Sequence, residues 1–299
     1  MTDTLALLTG AYGGIGAETA RGLVRRGVSV ILTGRNEARL DQLALSIRTE
    51  TPGAAVETLA LDLSDLASVR RAAETVLSTG RPLDLLVNNA AIVGGRDRRL
   101  TKDGFELTVG TNHFGHFALT GLLLPALLKA SSARVVTVSA LVARMKSVTL
   151  ADLNSEHRYR GGLRGAYATS KLANLVFAQE LARRTAGTSL RSFAVHPGIA
   201  VTGLVGNDMP PAARWFGEHV FSLFVSTPAQ GAAPTLYAAF TPDLPTGAFV
   251  GPSGPLGITG RPAPLPIPAS ATRPADAPTL WQTSQHQTQV HYPLPSNAG

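Results

Sequence analysis

Stretches rich in aliphatic and β-branched residues alternate along this chain with stretches in which apolar positions recur every three or four residues, and the two periods predict strands and helices in turn. The strand-like runs are Leu5 to Thr9, Val28 to Thr33, Val56 to Leu61, Leu83 to Asn88, Arg134 to Ser139 and Leu190 to His196, with a short last one from Ala248 to Val250. Between them the helical period predicts helices over Gly14 to Arg26, Glu37 to Arg48, Leu66 to Ser78, Asp103 to Lys129 and Ala166 to Arg184. This alternation predicts an α/β fold, a doubly wound parallel sheet of about seven strands with helices on both faces and its ligand site at the carboxyl ends of the strands.

Past the sixth strand the pattern changes. Helices are expected over Ala212 to Val225 and Pro228 to Phe240, the first within a segment, 199–227, placed to form a small helical substrate flap. Its apolar residues Trp215, Phe216, Phe221, Leu223 and Phe224 suit either a substrate pocket or ordinary core. Ten prolines stand between Pro242 and Pro278, so residues 242–299 are expected to be an extended, Pro-rich C-terminal tail. No repeat or second domain is visible, and residues 1–299 read as a single domain.

Composition narrows the field. A chain of 299 residues that is 44% hydrophobic can bury a large core, and a cysteine count of zero excludes a disulfide framework, thiolate metal sites and a cysteine nucleophile. The first residues lack a basic region and reach a glycine loop at once, which reads as a first strand and not a signal peptide. The longest apolar stretch, Phe117 to Leu128, is interrupted by Thr120, Gly121 and Pro125 and is too short for a membrane span. A soluble cytoplasmic protein is expected. The net charge of +7, carried by 23 Arg and 4 Lys, raises nucleic acid as a partner, yet no basic block exceeds two residues and no zinc-finger or aromatic RNA-binding pattern occurs.

Two motifs carry chemistry. Thr9-Gly10-Ala11-Tyr12-Gly13-Gly14-Ile15-Gly16 joins the first strand to the first helix, where glycines permit a tight turn and close approach of a pyrophosphate to the helix amino terminus. The spacing is T-G-x-x-x-G-I-G, and its strand–turn–helix context marks a Rossmann-type dinucleotide loop with Gly10, Tyr12, Gly14, Ile15 and Gly16 at the cofactor. After the second strand, where an acid would bind a ribose 2′-hydroxyl, stand Arg35 and Asn36; a guanidinium suits a 2′-phosphate, so NADP(H) is favoured. Further on, Tyr167 and Lys171 lie four apart and share a helix face, so the ammonium can favour the ionised phenol and bring its titration down from about 10.

Asp62-Leu63 after the third strand, Asn88-Asn89-Ala90-Ala91 after the fourth, Asn112 within Asn-His-Phe-Gly-His-Phe, Ser139 at the end of the fifth, Tyr167-Ala-Thr-Ser-Lys171, and Pro197-Gly198 after the sixth complete the pattern. In this order they resemble the short-chain dehydrogenase/reductase family over nearly the whole chain. Within it the likeness is to the retinol dehydrogenase-like and WW-domain oxidoreductase-like branch, through Asn112 to Phe117, Ser170 to Asn174, Leu280-Trp281 and the long interval from Ser139 to Tyr167. Protochlorophyllide reductases share some of this outline, but a chain without cysteine argues against their photochemistry.

The resemblance implies an oxidoreductase that interconverts a carbonyl and an alcohol on a hydrophobic or polycyclic small molecule. Tyr167 would protonate the carbonyl oxygen, Ser139 would hydrogen-bond it, and Lys171 would hold the nicotinamide ribose and lower the tyrosine pKa. Asn112 would anchor a water leading from Lys171 to solvent. Asp62 and Leu63 would meet the adenine, Asn89 and Ala90 the sugar beside the nicotinamide, and Pro197, Gly198 and Thr202 its carboxamide. Ala91 stands where the family usually has glycine, which an alanine at negative φ would tolerate. Helices containing Phe117 to Leu128 and Leu172 to Leu181 are those through which the family often forms a homodimer.

Other residues carry less. His113 and His116 lie three apart without a third ligand at metal spacing, so packing and hydrogen bonding are their expected uses. Ser139 and His196 lack the G-x-S-x-G elbow of a hydrolase. Arg96, Arg98 and Arg99, with Arg144, Lys146, Arg158, Arg160 and Arg164, should rim the site mouth, either as solvated charges or as attractors of an anionic substrate. Two other readings stay open: a protein that senses NADP(H) without turnover, and an enzyme of the same fold doing non-redox or multi-step chemistry.

Overall fold

The parallel sheet that the alternation predicts is present, in a computed structural model that describes residues 4–198 and 227–294. Its strands are β1 (Leu5–Thr9), β2 (Ser29–Gly34), β3 (Val56–Ala60), β4 (Leu85–Asn88), β5 (Arg134–Val138), β6 (Arg191–Val195), β7 (Phe249–Pro252) and β8 (Pro262–Leu265). They are ordered β3-β2-β1-β4-β5-β6-β7-β8, parallel as far as β7, with β8 returning antiparallel on β7. The order reverses between β1 and β4, which opens a crevice at the carboxyl ends of those strands.

Helices cover both faces, which is why the central strands are apolar at consecutive positions. Leu5 and Leu7 of β1 point into one core and Ala6 and Leu8 into the other. The second core is closed by α1 (Gly14–Val24), α2 (Glu37–Glu50) and α7 (Pro228–Phe240). The first is closed by α3 (Leu66–Ser78), α5 (Gly115–Lys129) and α6 (Ala166–Arg184).

Two expectations are corrected. The helix anticipated over Asp103 to Lys129 begins only with α4 (Leu107–Val109), where the Glu106 carboxylate accepts from the Val109 amide at 2.8 Å, and then widens into a π turn at Gly110–Phe114 before α5. That turn holds Asn112. The segment expected to be an extended tail beyond the short strand anticipated at Ala248 to Val250, which is β7, carries β8 and a docked helix, α8 (Asp276–Thr288). Proline misleads there because Pro278 falls in the first turn of α8, where a missing amide costs nothing. The helix foreseen over Ala212 to Val225, with Trp215, Phe216, Phe221, Leu223 and Phe224, lies outside the described residues.

Leu280, Trp281, Ser284 and Thr288 form the buried stripe of α8, spaced so that one helix face meets the core. Trp281 is 3% exposed and packs edge-on to Phe117 at 5.2 Å between ring centroids and stacked on Phe177 at 6.0 Å. The Arg184 guanidinium lies 4.4 Å from the Trp281 ring centroid. Beyond α8, the Tyr292 hydroxyl donates to the Phe117 carbonyl at 2.7 Å, its ring passing over Gly121, where a Cβ would stand 2.5 Å from it. The face of α5 and α6 that bears Phe117 and Phe177 is thus covered by the chain's own C-terminal segment.

Trp281→Ala should therefore cost about 3–5 kcal/mol of stability, the range for deleting a buried aromatic. Equilibrium denaturation measures it; a loss under about 1 kcal/mol would show that α8 is not held against α5 and α6.

Candidate active site

The loop between β1 and α1 is shaped by its glycines. Gly10 takes φ +64°, and a Cβ there would stand 2.8 Å from the Ala90 Cα; a Cβ on Gly16 would collide with the Gly10 carbonyl oxygen. The Gly13 N-cap of α1 provides no side-chain hydrogen bond, whereas Asn36, Asp65 and Thr227 cap α2, α3 and α7 with theirs. The first amides of α1 therefore have no capping side chain to compete with an anion, so the loop fits a pyrophosphate.

Around it stand the other expected cofactor residues. Tyr12 is half-buried over Gly34, and the Arg39 guanidinium lies 4.6 Å from its ring centroid. Arg35 and Asn36 are exposed at the end of β2, with Asn36 also capping α2 through the Arg39 amide at 3.0 Å. One oxygen of Asp62 accepts from the Ser64 amide and hydroxyl at 2.9 and 2.7 Å, while Leu63 is buried against Gly115. Asn89 and Ala90 turn back onto β1, and Ala91 is not at positive φ, as tolerance of its methyl requires. Pro197 and Gly198 follow β6, the Gly198 amide donating to His196 Nδ1 at 3.2 Å. Thr202 lies outside the described residues.

On the far side of the crevice, α6 brings Tyr167 and Lys171 to the end of β5. Lys171 is 1% exposed, its ammonium donating to the Val138 carbonyl at 2.9 Å and lying 5.6 Å from the Tyr167 ring centroid. Tyr167 is half-buried, one turn nearer the helix start. The expected electrostatics are corrected here. Burial raises the phenol to about 12 and lowers the ammonium to about 7, because desolvation penalises both charged forms. In this arrangement the lysine does not bring the phenol down.

Ser139 and Asn112 both hydrogen-bond within the protein. The Ser139 hydroxyl is 1% exposed and donates to the Lys171 carbonyl at 2.7 Å, so its proton is engaged in the backbone of α6. The Asn112 side chain accepts from the Ile92 amide at 2.8 Å and donates to the Ile92 carbonyl and the Ser170 hydroxyl at 2.9 and 3.0 Å. Ser170 in turn donates to the Tyr167 carbonyl at 2.7 Å. Asn112 thus spends its amide joining the loop after β4 to the first turn of α6. Ser170, Arg39, Thr9 and His116 were not singled out for the site from sequence; His116 offered a signal, four residues after Asn112 on the same helix face.

Arg96, Arg98, Arg99, Arg144, Lys146, Arg158, Arg160 and Arg164 are all exposed, on loops that follow β4 and β5. Those loops are stitched together by the Tyr159 hydroxyl donating to the Gly95 carbonyl at 3.0 Å. Among the described residues no group of three metal-ligating side chains occurs, and no helix is long and apolar enough to cross a membrane.

A glycine cradle at a topological switch point, faced by a Tyr-x-x-x-Lys helix, defines the class as dinucleotide-dependent enzymes of the doubly wound α/β type. The chain belongs to the short chain dehydrogenase family, whose model matches residues 4–211. It is similar to human retinol dehydrogenase 11, at 40% identity over 80% of this chain and 74% of that protein. Mouse polyprenol dehydrogenase is 42% identical over 80% of this chain and 72% of its own. Among solved structures, an uncharacterised protein of Mycobacterium paratuberculosis matches with TM-score 0.77 and 40% identity, over 97% of this chain and 95% of that one. An actinorhodin polyketide ketoreductase solved with NADPH matches with TM-score 0.60 and 25% identity, over 79% and 90%. The family places the protein among oxidoreductases that bind a nicotinamide cofactor and act on alcohols and carbonyls.

His113 and His196 are both buried, and burial lowers each to about 4. A folded-state value below the unfolded one of about 6.5 means the unfolded chain binds more protons between the two, so stability falls as pH drops through that window, by roughly 3 kcal/mol per histidine at pH 4. Melting temperatures from pH 7 to 4 test this. His113→Gln should flatten the profile, and a wild-type profile already level below pH 6.5 would mean that the imidazoles reach solvent.

Proposed function

We propose that the protein is an NADP(H)-dependent oxidoreductase that interconverts a carbonyl and an alcohol on a hydrophobic or polycyclic small molecule, with Tyr167 as general acid/base. The observation that carries this reading is the half-buried phenol at the end of β5, one helical turn from a buried lysine and across the switch point from a glycine cradle. A nicotinamide cofactor, when bound, would supply or accept the hydride.

The chain's own groups do the rest. A phenol held near 12 keeps its proton at neutral pH, the form that can donate to a carbonyl oxygen, and reduction is the favoured direction if NADPH is the cofactor. Lys171, anchored on the Val138 carbonyl, keeps further donor capacity for ribose hydroxyls. Ser139, whose hydroxyl rests on the Lys171 carbonyl, would turn that proton to the substrate oxygen. Arg35, exposed at the end of β2, is the donor fork for a 2′-phosphate, and similarity to retinol and polyprenol dehydrogenases supports an apolar substrate.

Incubation with NADPH and a panel of aldehydes and ketones, followed at the cofactor absorbance, tests the reading; binding without turnover across the panel would favour a sensor. Tyr167→Phe should abolish turnover and leave NADPH affinity near wild type, and a fully active variant would refute the acid role. Ser139→Ala should keep more activity than Tyr167→Phe. Arg35→Asp should reverse the preference between NADPH and NADH; an unaltered preference would place the 2′-phosphate elsewhere.

A further inference from the structure

His116 is buried at 1% exposure on α5, two residues past the π turn, and both of its ring nitrogens are engaged. Nδ1 lies 2.9 Å from the Asn112 carbonyl oxygen, which can only accept, so Nδ1 carries the proton and Nε2 is an acceptor. Nε2 lies 2.8 Å from the hydroxyl of Thr9, the last residue of β1. That hydroxyl accepts from the amides of Asn89 at 2.9 Å and Ala90 at 3.0 Å, which fills its two lone pairs. Its one proton has two possible acceptors, Nε2 at 2.8 Å and the Val87 carbonyl at 3.3 Å, and the shorter contact with the neutral ring takes it. Burial keeps the ring neutral, with its pKa near 3.

We propose that His116 is a positioning residue of the cofactor cleft: as its Nδ1–H tautomer it fixes the Thr9 hydroxyl, and Thr9 holds the Asn89–Ala90 turn against the glycine loop. The same ring pins the backbone of Asn112, whose side chain reaches Ile92 and, through Ser170, the first turn of α6. One imidazole thereby ties together both banks of the crevice, the glycine loop and turn on one side and the tyrosine helix on the other. The spacing it enforces is tight, since Ala90 already packs against Gly10 with no room for a Cβ between them. Asn89 adds a second tie, its side-chain amide donating to the Thr9 carbonyl at 2.8 Å.

The inference rests on the reading of this cleft as a dinucleotide site, and the experiment separates the two. The full chain is titrated calorimetrically with NADPH and with NADH, and hydrogen exchange is followed on the segment containing Asn89 and Ala90, with α8 as the internal reference. His116→Ala should weaken the tighter-binding nucleotide roughly tenfold and speed exchange at that segment, while α8 is unchanged. Thr9→Val should do the same, and the double variant should be no worse than the weaker single one, because both remove one link. Thr9→Ser, which retains the hydroxyl, and His116→Gln, which can reach Thr9, should recover much of the loss. If His116→Ala fails to fold, the contrast of His116→Gln, which keeps an acceptor for Thr9, with His116→Leu, which has none, decides the matter. Additive losses in the double variant, or unaltered affinity and exchange in the single ones, would overturn the proposal. A wild-type chain that binds neither nucleotide would overturn the dinucleotide reading instead, and the exchange data would still judge His116.

Discussion

A parallel sheet covered by helices on both faces has no wet surface along its length, so polar side chains are concentrated at the strand ends, where the ladder stops and backbone groups must find other partners. Here that constraint organises the molecule. Thr9, Asn88 and Ser139 end or directly follow β1, β4 and β5, all are buried, and each is hydrogen-bonded to a neighbouring element. The crevice is the product of these commitments. It exists because two neighbouring strands send their chains to opposite faces, and hydrogen bonds between its walls, such as Thr9 to His116 and Ser139 to Lys171, hold its shape.

Burial dominates the electrostatics of this crevice. Lys171 has lost nearly all its contact with water and rests on the Val138 carbonyl, so its ammonium is destabilised more than its neighbours can compensate. The same desolvation raises Tyr167. A spacing of four residues guarantees a shared helix face, yet it does not decide whether the charged or the neutral forms prevail there. That balance depends on how deeply the helix is set into the sheet.

The C-terminal segment shows how a second layer of packing supports the first. α8 contributes Trp281 to the aromatic cluster with Phe117 and Phe177, and Ser284 meets His113 Nε2 at 2.8 Å within the π turn that carries Asn112. Residues far along the chain thereby brace the element that shapes the site. Their contribution is invisible in any local pattern, since the prolines before α8 signal an irregular tail.

Period and punctuation in the sequence determined the strand–helix alternation, the glycine loop and the shared face of Tyr167 and Lys171, because each depends on residues close together in the chain. Those features appear where expected, to within a residue or two at most element ends. The tertiary structure alone decided that Ser139 turns to the Lys171 carbonyl, that Asn112 is consumed by Ile92 and Ser170, and that α8 occupies the α5–α6 face. Hydrogen-bond partners and desolvation are set by groups that meet only when distant segments pack, and no spacing along the chain encodes which of several polar neighbours will be nearest.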